Sequence, residues 1–233
     1  MRGLSLFFAG SALILGGCTG VTSTVAPMKA SPGIKKVAVV SFSVNDWSGL
    51  TSSGVGSRAS TQDAAIQRAT NELLNHTEKR LSSLWTVKKA ETFVGSKDYR
   101  RLTVEKILSD YVPVLNGKEL GALTQESSEL KKVILTPEQA KGLCAAIGVD
   151  AIMVVYSEWR IATGNAVPIS RAKTLNLFSF YDKQGERTFY RRVDKMGTMV
   201  IGGADVTASI ANAKILEQWA GTYRSALDVA LAN

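Results

Sequence analysis

Few side chains of this sequence are both chemically competent and suggestively placed. His76 is the only histidine among 233 residues. No paired-histidine metal site, HExxH motif or Ser/His/Asp set with a second histidine can therefore be built. It sits between Asn75 and Thr77 in a helical pattern and reads as a helix-flank residue. Carboxylates occur singly, mostly beside basic residues, without the close pair that glycoside hydrolysis uses. The glycines of MGTMVIGGADV precede a helix, where backbone amides could hold a phosphate. They lack the lysine and hydroxyl of a P-loop and the spacing of a dinucleotide fingerprint, so they read as a strand-to-helix loop. The two cysteines are Cys18 and Cys144. Cys144, in AKGLCAAIG, falls on an apolar helix face and reads as a buried, inert thiol. No catalytic, cofactor-binding or metal-binding residue is nominated, and the chain is expected not to be an enzyme. Cys18 is the exception to this silence, because of what surrounds it.

Arg2 supplies a positive start, Leu4 to Leu15 an apolar run, and Gly16-Gly17 a small pair directly before Cys18. This is the layout of a secretory leader, and the run is too short to span a bilayer, which takes roughly 20 apolar residues. Leu15-Gly16-Gly17-Cys18 resembles the bacterial lipobox, which carries lipid on the cysteine sulfur and is cut just before it. Ordinary cleavage beside an incidental cysteine, or a retained N-terminal anchor, are the alternatives. The spacing and the small residues favour lipid, with an acyl group such as palmitate on Cys18. By resemblance to lipoprotein sorting, Thr19 in place of aspartate implies the outer membrane, with the domain on its periplasmic face. A lipidated Cys18 leaves Cys144 without a partner, so no intramolecular disulfide is expected.

Lys and Arg total 28 against 20 Asp and Glu. Losing Arg2 with the leader leaves 27 against 20, a net charge of +7. Nucleic acid is the usual partner of so basic a chain, but the compartment argues against it. Anionic head groups, lipopolysaccharide or an acidic protein remain. The charge is spread over doublets such as Lys35-Lys36, Lys88-Lys89, Lys131-Lys132 and Arg191-Arg192, the pattern of solvated surface.

These features divide the chain into a leader over 1–17, a lipidated cysteine and flexible tether over 18–34, and one domain over 35–233. The tether TGVTSTVAPMKASP reaches ~20 Å as a flexible coil. In the domain, KKVAVVSFSV is apolar enough for a strand covered on both faces. Ser60 or Thr61 is placed to cap the next helix, whose apolar residues Ile66, Ala69, Leu73, Thr77, Leu81 and Leu84 recur every three or four positions. WTVKKAETFV reads as a second strand and YRRLTVEKILSDY as a helix. Val112 to Val133 carries no clear pattern. In LTPEQAKGLCAAIGVDAIMVVYSEW, Thr136 and Gln139 form a capping box, Pro137 opens the first turn, and Gly148 stops the helix before a buried strand. TLNLFSFYD and RTFYRRVD flank KQGE as a hairpin. A closing helix carries Ile210, Ala213, Leu216, Trp219 or Ala220, Tyr223 and Leu227 at helical spacing. Trp85, Trp159, Trp219, Phe178, Phe180 and Tyr181 read as core, and Trp47 as an exposed loop residue. The fold class is α/β, a single-domain sandwich of a mixed β-sheet with packed helices.

The lipobox, the tether, KKVAVVSFSV, the helix ending LSSLW, the "GVDAI" strand and the hairpin LNLFSFYDKQGERTFYRRVDKMG together resemble bacterial lipoproteins related to the curli-secretion lipoprotein (CsgG) and to lipoprotein activators of penicillin-binding proteins. Those share an α/β domain similar to the N-terminal domain of TolB. The resemblance implies a non-enzymatic function through a protein partner or homo-oligomer in the envelope, with no active site to carry over. An envelope-polymer-modifying enzyme with a dispersed site and an activator of a peptidoglycan synthase are the alternatives. The short tether ranks the activator role lower. A curli-type pore is not expected, because RIATGNAVPISRAK reads as a loop too short for two membrane crossings and KMGTMVIGGADV could supply one at most.

Overall fold

The computed structural model describes residues 33–46, 57–163, 169–198, 200–201 and 207–232. The chain runs β1 (Lys36–Asp46), α1 (Ser57–Ser82), β2 (Thr86–Val87), α2 (Lys97–Arg100), β3 (Asp110–Tyr111), β4 (Val114–Leu115), β5 (Lys118–Glu119), α3 (Pro137–Ile147), β6 (Ala151–Thr163), β7 (Ile169–Asp182), β8 (Arg187–Met196), β9 (Val200–Ile201) and α4 (Thr207–Leu231). The main sheet has the order β2-β1-β6-β7-β8, with β3 added to the end of β1 and β9 to β7. β1 lies parallel to β2 and β6, while β6, β7 and β8 form an antiparallel meander. This is a mixed sheet with packed helices in a single α/β domain.

β1 and β6 are continuously apolar because both of their faces are covered. Val37, Val39, Val40 and Phe42 are wholly buried, as are Ile152, Val154 and Val155. On one face, Phe42 and Phe178 both meet Tyr223 of α4, whose hydroxyl contacts Thr77 of α1 at 2.8 Å. On the other face, Tyr99 donates to the Val40 carbonyl, and the Tyr181 hydroxyl links the Val133 carbonyl to the Leu135 amide. Helix α3 starts as its sequence dictates. Thr136 accepts from the Gln139 amide, Gln139 accepts from the Thr136 amide, and Gly148 closes the helix at φ 72°.

Several elements differ from the sequence reading. α1 begins at Ser57, so Ser60 and Thr61 lie inside it and are not its cap. Leu84 falls past the helix end and is exposed. The second strand is only Thr86–Val87, because Glu78 accepts from the Ala90 amide and the chain turns inward to bury Ala90, Phe93 and Val94. YRRLTVEKILSDY is not a helix beyond Arg100. Val104 pairs instead with Ala122, and Asp110–Tyr111 joins β1, so long-range pairing overrides local propensity. In α4, Ile215 is buried and Leu216 lies at the flank. The side chains of Ile210 and Ala213 lie outside the described residues, as do Cys18, Trp47 and Gly202-Gly203.

RIATGNAVPISRAK is mostly strand. β6 and β7 pair through to Thr163↔Ser170, leaving only 164–168 outside the described residues. The reason is the antiparallel ladder itself, which continues past Asp46↔Trp159, the last described pair of β1 with β6. Among the described residues, no helix is long and apolar enough to cross a membrane.

Candidate interaction surface

As β6 leaves the core, its side chains alternate between two environments. Trp159 stacks on Trp219 of α4 with ring centroids 5.2 Å apart, and Ser157 joins Trp159 Nε1 and Asn176 Oδ1 in a closed polar network. Glu158 and Arg160 take the opposite face. There, Glu158 is wholly buried and bonded by the Arg160 guanidinium, which the period-2 spacing places on the same side.

A row of charges continues from this pair. Glu129, just ahead of the short turn at Leu130–Val133, lies 3.5 Å from Arg160 Nη2 and 3.9 Å from Arg192 Nη1. Arg192 of β8 forks onto Asp194 at 3.0 and 3.1 Å. On the β1 side, Asn45 is the register partner of Glu158 and donates to Asp110 Oδ1 at 2.8 Å. Asp110 in turn pairs with Lys132, and both side chains are buried. The row therefore spans the sheet and straps the irregular segment between α2 and α3 onto it.

Burial pushes the Glu158 carboxyl above its usual range, the Arg160 bond draws it back, and the neighbouring Glu129 raises it again. Both guanidiniums are held charged by their carboxylate partners, Arg160 by Glu158 and Arg192 by Asp194. Around the row stand exposed apolar side chains: Leu130 at 50 %, Met196 at 56 % and Leu108 at 102 %. Half-exposed arginines beside exposed leucine and methionine have the composition of a protein-binding patch. Arg160 lies nine residues beyond Ala151, so this patch sits roughly 30 Å along the strand from the end where the tether joins.

The residues singled out in the sequence do not converge. Cys144 is buried in α3, and desolvation, reinforced by Asp182 and Asp150, pushes its thiol up to about 12, so it stays protonated and inert. Of the lysine doublet read as surface, Lys131 is exposed and Lys132 is not. The buried Asp110 claims Lys132, a correction that no local pattern announces. Arg191 also turns inward, donating to the Val229 and Ala230 carbonyls at the end of α4. Glu158 did leave a signal, as a lone carboxylate two residues from an arginine inside an apolar strand. Among the described residues, no group of three His, Cys, Asp or Glu could hold a metal ion.

His76 is half-buried on α1, and its Nε2 has no hydrogen-bond partner among the described residues. Burial first, then Arg224, lowers its pKa below 6.5, against an opposing pull from Asp228. In this range the unfolded chain binds the proton more readily, so stability is full above pH 6.5 and falls as pH drops toward the lowered value. Urea midpoints between pH 5 and 7.5 should show this decline, and His76→Gln should flatten it.

Comparison with protein-family models and with curated proteins gives no match. Among solved structures, the C-terminal domain of LpoB from Salmonella enterica is similar at 13 % identity and TM-score 0.30, covering 71 % of this chain and 87 % of that one. The lipoprotein GNA1162 from Neisseria meningitidis is similar at 11 % identity and TM-score 0.37, covering 80 % and 99 %. Likeness this distant assigns no function.

Proposed function

We propose that this chain is a non-enzymatic outer-membrane lipoprotein, anchored through lipid on Cys18, whose periplasmic α/β domain binds a protein partner or assembles with itself. The observation that carries the reading is the leader ending in Leu15-Gly16-Gly17-Cys18, followed by a short polar tether and then an α/β domain. The charged row with Leu130 and Met196 is the surface offered to the partner, at the end of the sheet away from the tether. A function near the outer membrane ranks above activation of a peptidoglycan synthase, because a tether reaching ~20 Å is short for crossing the periplasm.

Replacing Cys18→Ala should abolish incorporation of labelled fatty acid and leave the protein unprocessed or released from the outer membrane. Unchanged fractionation with undiminished labelling would sink the reading.

A curli-type pore is excluded from the proposal for a reason different from the one the sequence suggested. Up to Trp159, β6 is buried on both faces, and beyond it Ala172 is still wholly buried and Ile161 packs against the core, so among the described residues few positions of β6 and β7 extend beyond the covered sheet. A crossing strand takes roughly 9 to 11 residues. The purified protein should leave a planar bilayer electrically silent, and stepwise conductance would contradict the proposal.

A further inference from the structure

The end of the sheet where the tether joins is basic and built. Lys35 and Lys36 both donate their backbone amides to Asp150 Oδ2 at 3.0 Å, which fixes where the chain enters the domain. The clamp holds Asp150 below the usual carboxylate range, first through these two bonds and then through Lys183. Lys36, Lys141 and Lys183 line one open cavity of about 510 Å3 over Cys144, Gly148 and Asp150. Lys88 lies beside it, its amide on the Val37 carbonyl and its ammonium on the Ile147 carbonyl. Among the described residues, the ammonium groups of Lys35, Lys36 and Lys141 have no carboxylate within 4.0 Å, and that of Lys183 reaches only Asp150, at 3.3 Å. Asp182 spends an oxygen on the Gln184 and Glu186 amides of the hairpin turn. Glu186, exposed in that turn, reduces the positive excess without cancelling it.

We infer that this lysine rim is a second, electrostatic contact with the membrane, docking the domain on anionic phospholipid head groups beside the lipid anchor. The inference rests on the lipid-anchored reading, because the tether entry point faces the bilayer only if Cys18 is acylated. Two contacts accomplish what one cannot. The acyl group holds the chain near the surface, and lysines within a Debye length of it orient the domain. The domain would then stand with its tether end on the lipid and the Glu158–Arg160 row turned to the periplasm.

The test uses the chain from residue 18 onward with Cys18→Ser, which keeps every described core residue and carries no lipid. Co-sedimentation with vesicles of zwitterionic phospholipid, with and without added anionic phospholipid, should show binding only to the anionic ones, weakened by salt. The triple variant Lys36→Gln, Lys141→Gln, Lys183→Gln should lose roughly fivefold per lysine, on the order of a hundredfold in all. A triple variant with the same charge loss at Lys118, Lys173 and Lys195, the last two at the far ends of β7 and β8, should lose far less. Equal loss in both variants, or no preference of the unsubstituted chain for anionic vesicles, would overturn the inference. Failure of the lipid-anchored reading appears separately, as an unmodified Cys18 in protein taken from cells, and leaves the vesicle result standing.

Discussion

Replacing Lys132→Met should destabilise the domain by about 3 to 5 kcal/mol, the usual cost of removing one partner of a buried ion pair. Lys132 is 3 % exposed and Asp110 0 % at the side chain. Among the described residues, Asn45 and the Lys132 ammonium are the groups that satisfy the Asp110 carboxylate, so the variant removes its only described cationic partner. For a domain of this size the loss corresponds to a fall in melting temperature of about 6 to 20 °C. The double variant Asp110→Leu with Lys132→Met should be milder than either single change, because an apolar pair costs less than an orphaned charge. A double-mutant cycle read by urea unfolding measures the coupling. Additive single effects would show that the two side chains do not act as a pair.

Trp219→Ala should cost about 3 to 5 kcal/mol by a different route. The indole is wholly buried, stacks on Trp159 at 27°, and donates Nε1 to the Arg160 carbonyl at 2.9 Å. Trp159 is the last position of β6 with a described partner on β1, and the substitution opens a cavity and removes the tie of α4 to the Arg160 carbonyl together. Trp219→Phe keeps the ring contact and loses the hydrogen bond, so its cost should be about 1 to 2 kcal/mol. Thermal and urea unfolding of the two variants separate packing from bonding. Equal losses in both would mean that the hydrogen bond, not the volume, holds the helix.

What the sequence revealed of this fold was what local physics decides. The unbroken apolarity of β1 and β6, the capping box of Thr136 and Gln139, and the Lys183 to Glu186 turn each act over a few residues, and each stands where its pattern puts it. The misreadings lie where distant residues decide. Residues 99 to 111 have a helical apolar rhythm, yet Tyr99 is drawn to Val40 and Gly121, and Asp110 to Asn45 and Lys132. Beyond Trp159, Arg160 to Thr163 and Ile169 to Lys173 are strand despite their charges, because β7 continues to pair with β6. The interaction surface was hidden for the same reason. Glu129, Glu158 and Arg192 are neighbours only after β6, β8 and the segment before α3 have been brought together. Cys18, by contrast, lies outside the described residues, and its proposed lipidation rests on its own four-residue context.

That residue also offers the most direct measurement. Mass spectrometry of the N-terminal peptide of protein purified from bacterial membranes should find a chain that begins at Cys18 and carries acyl groups on it. A mature chain beginning elsewhere, or a free Cys18 thiol on membrane-bound protein, would contradict lipid anchorage and the function built on it.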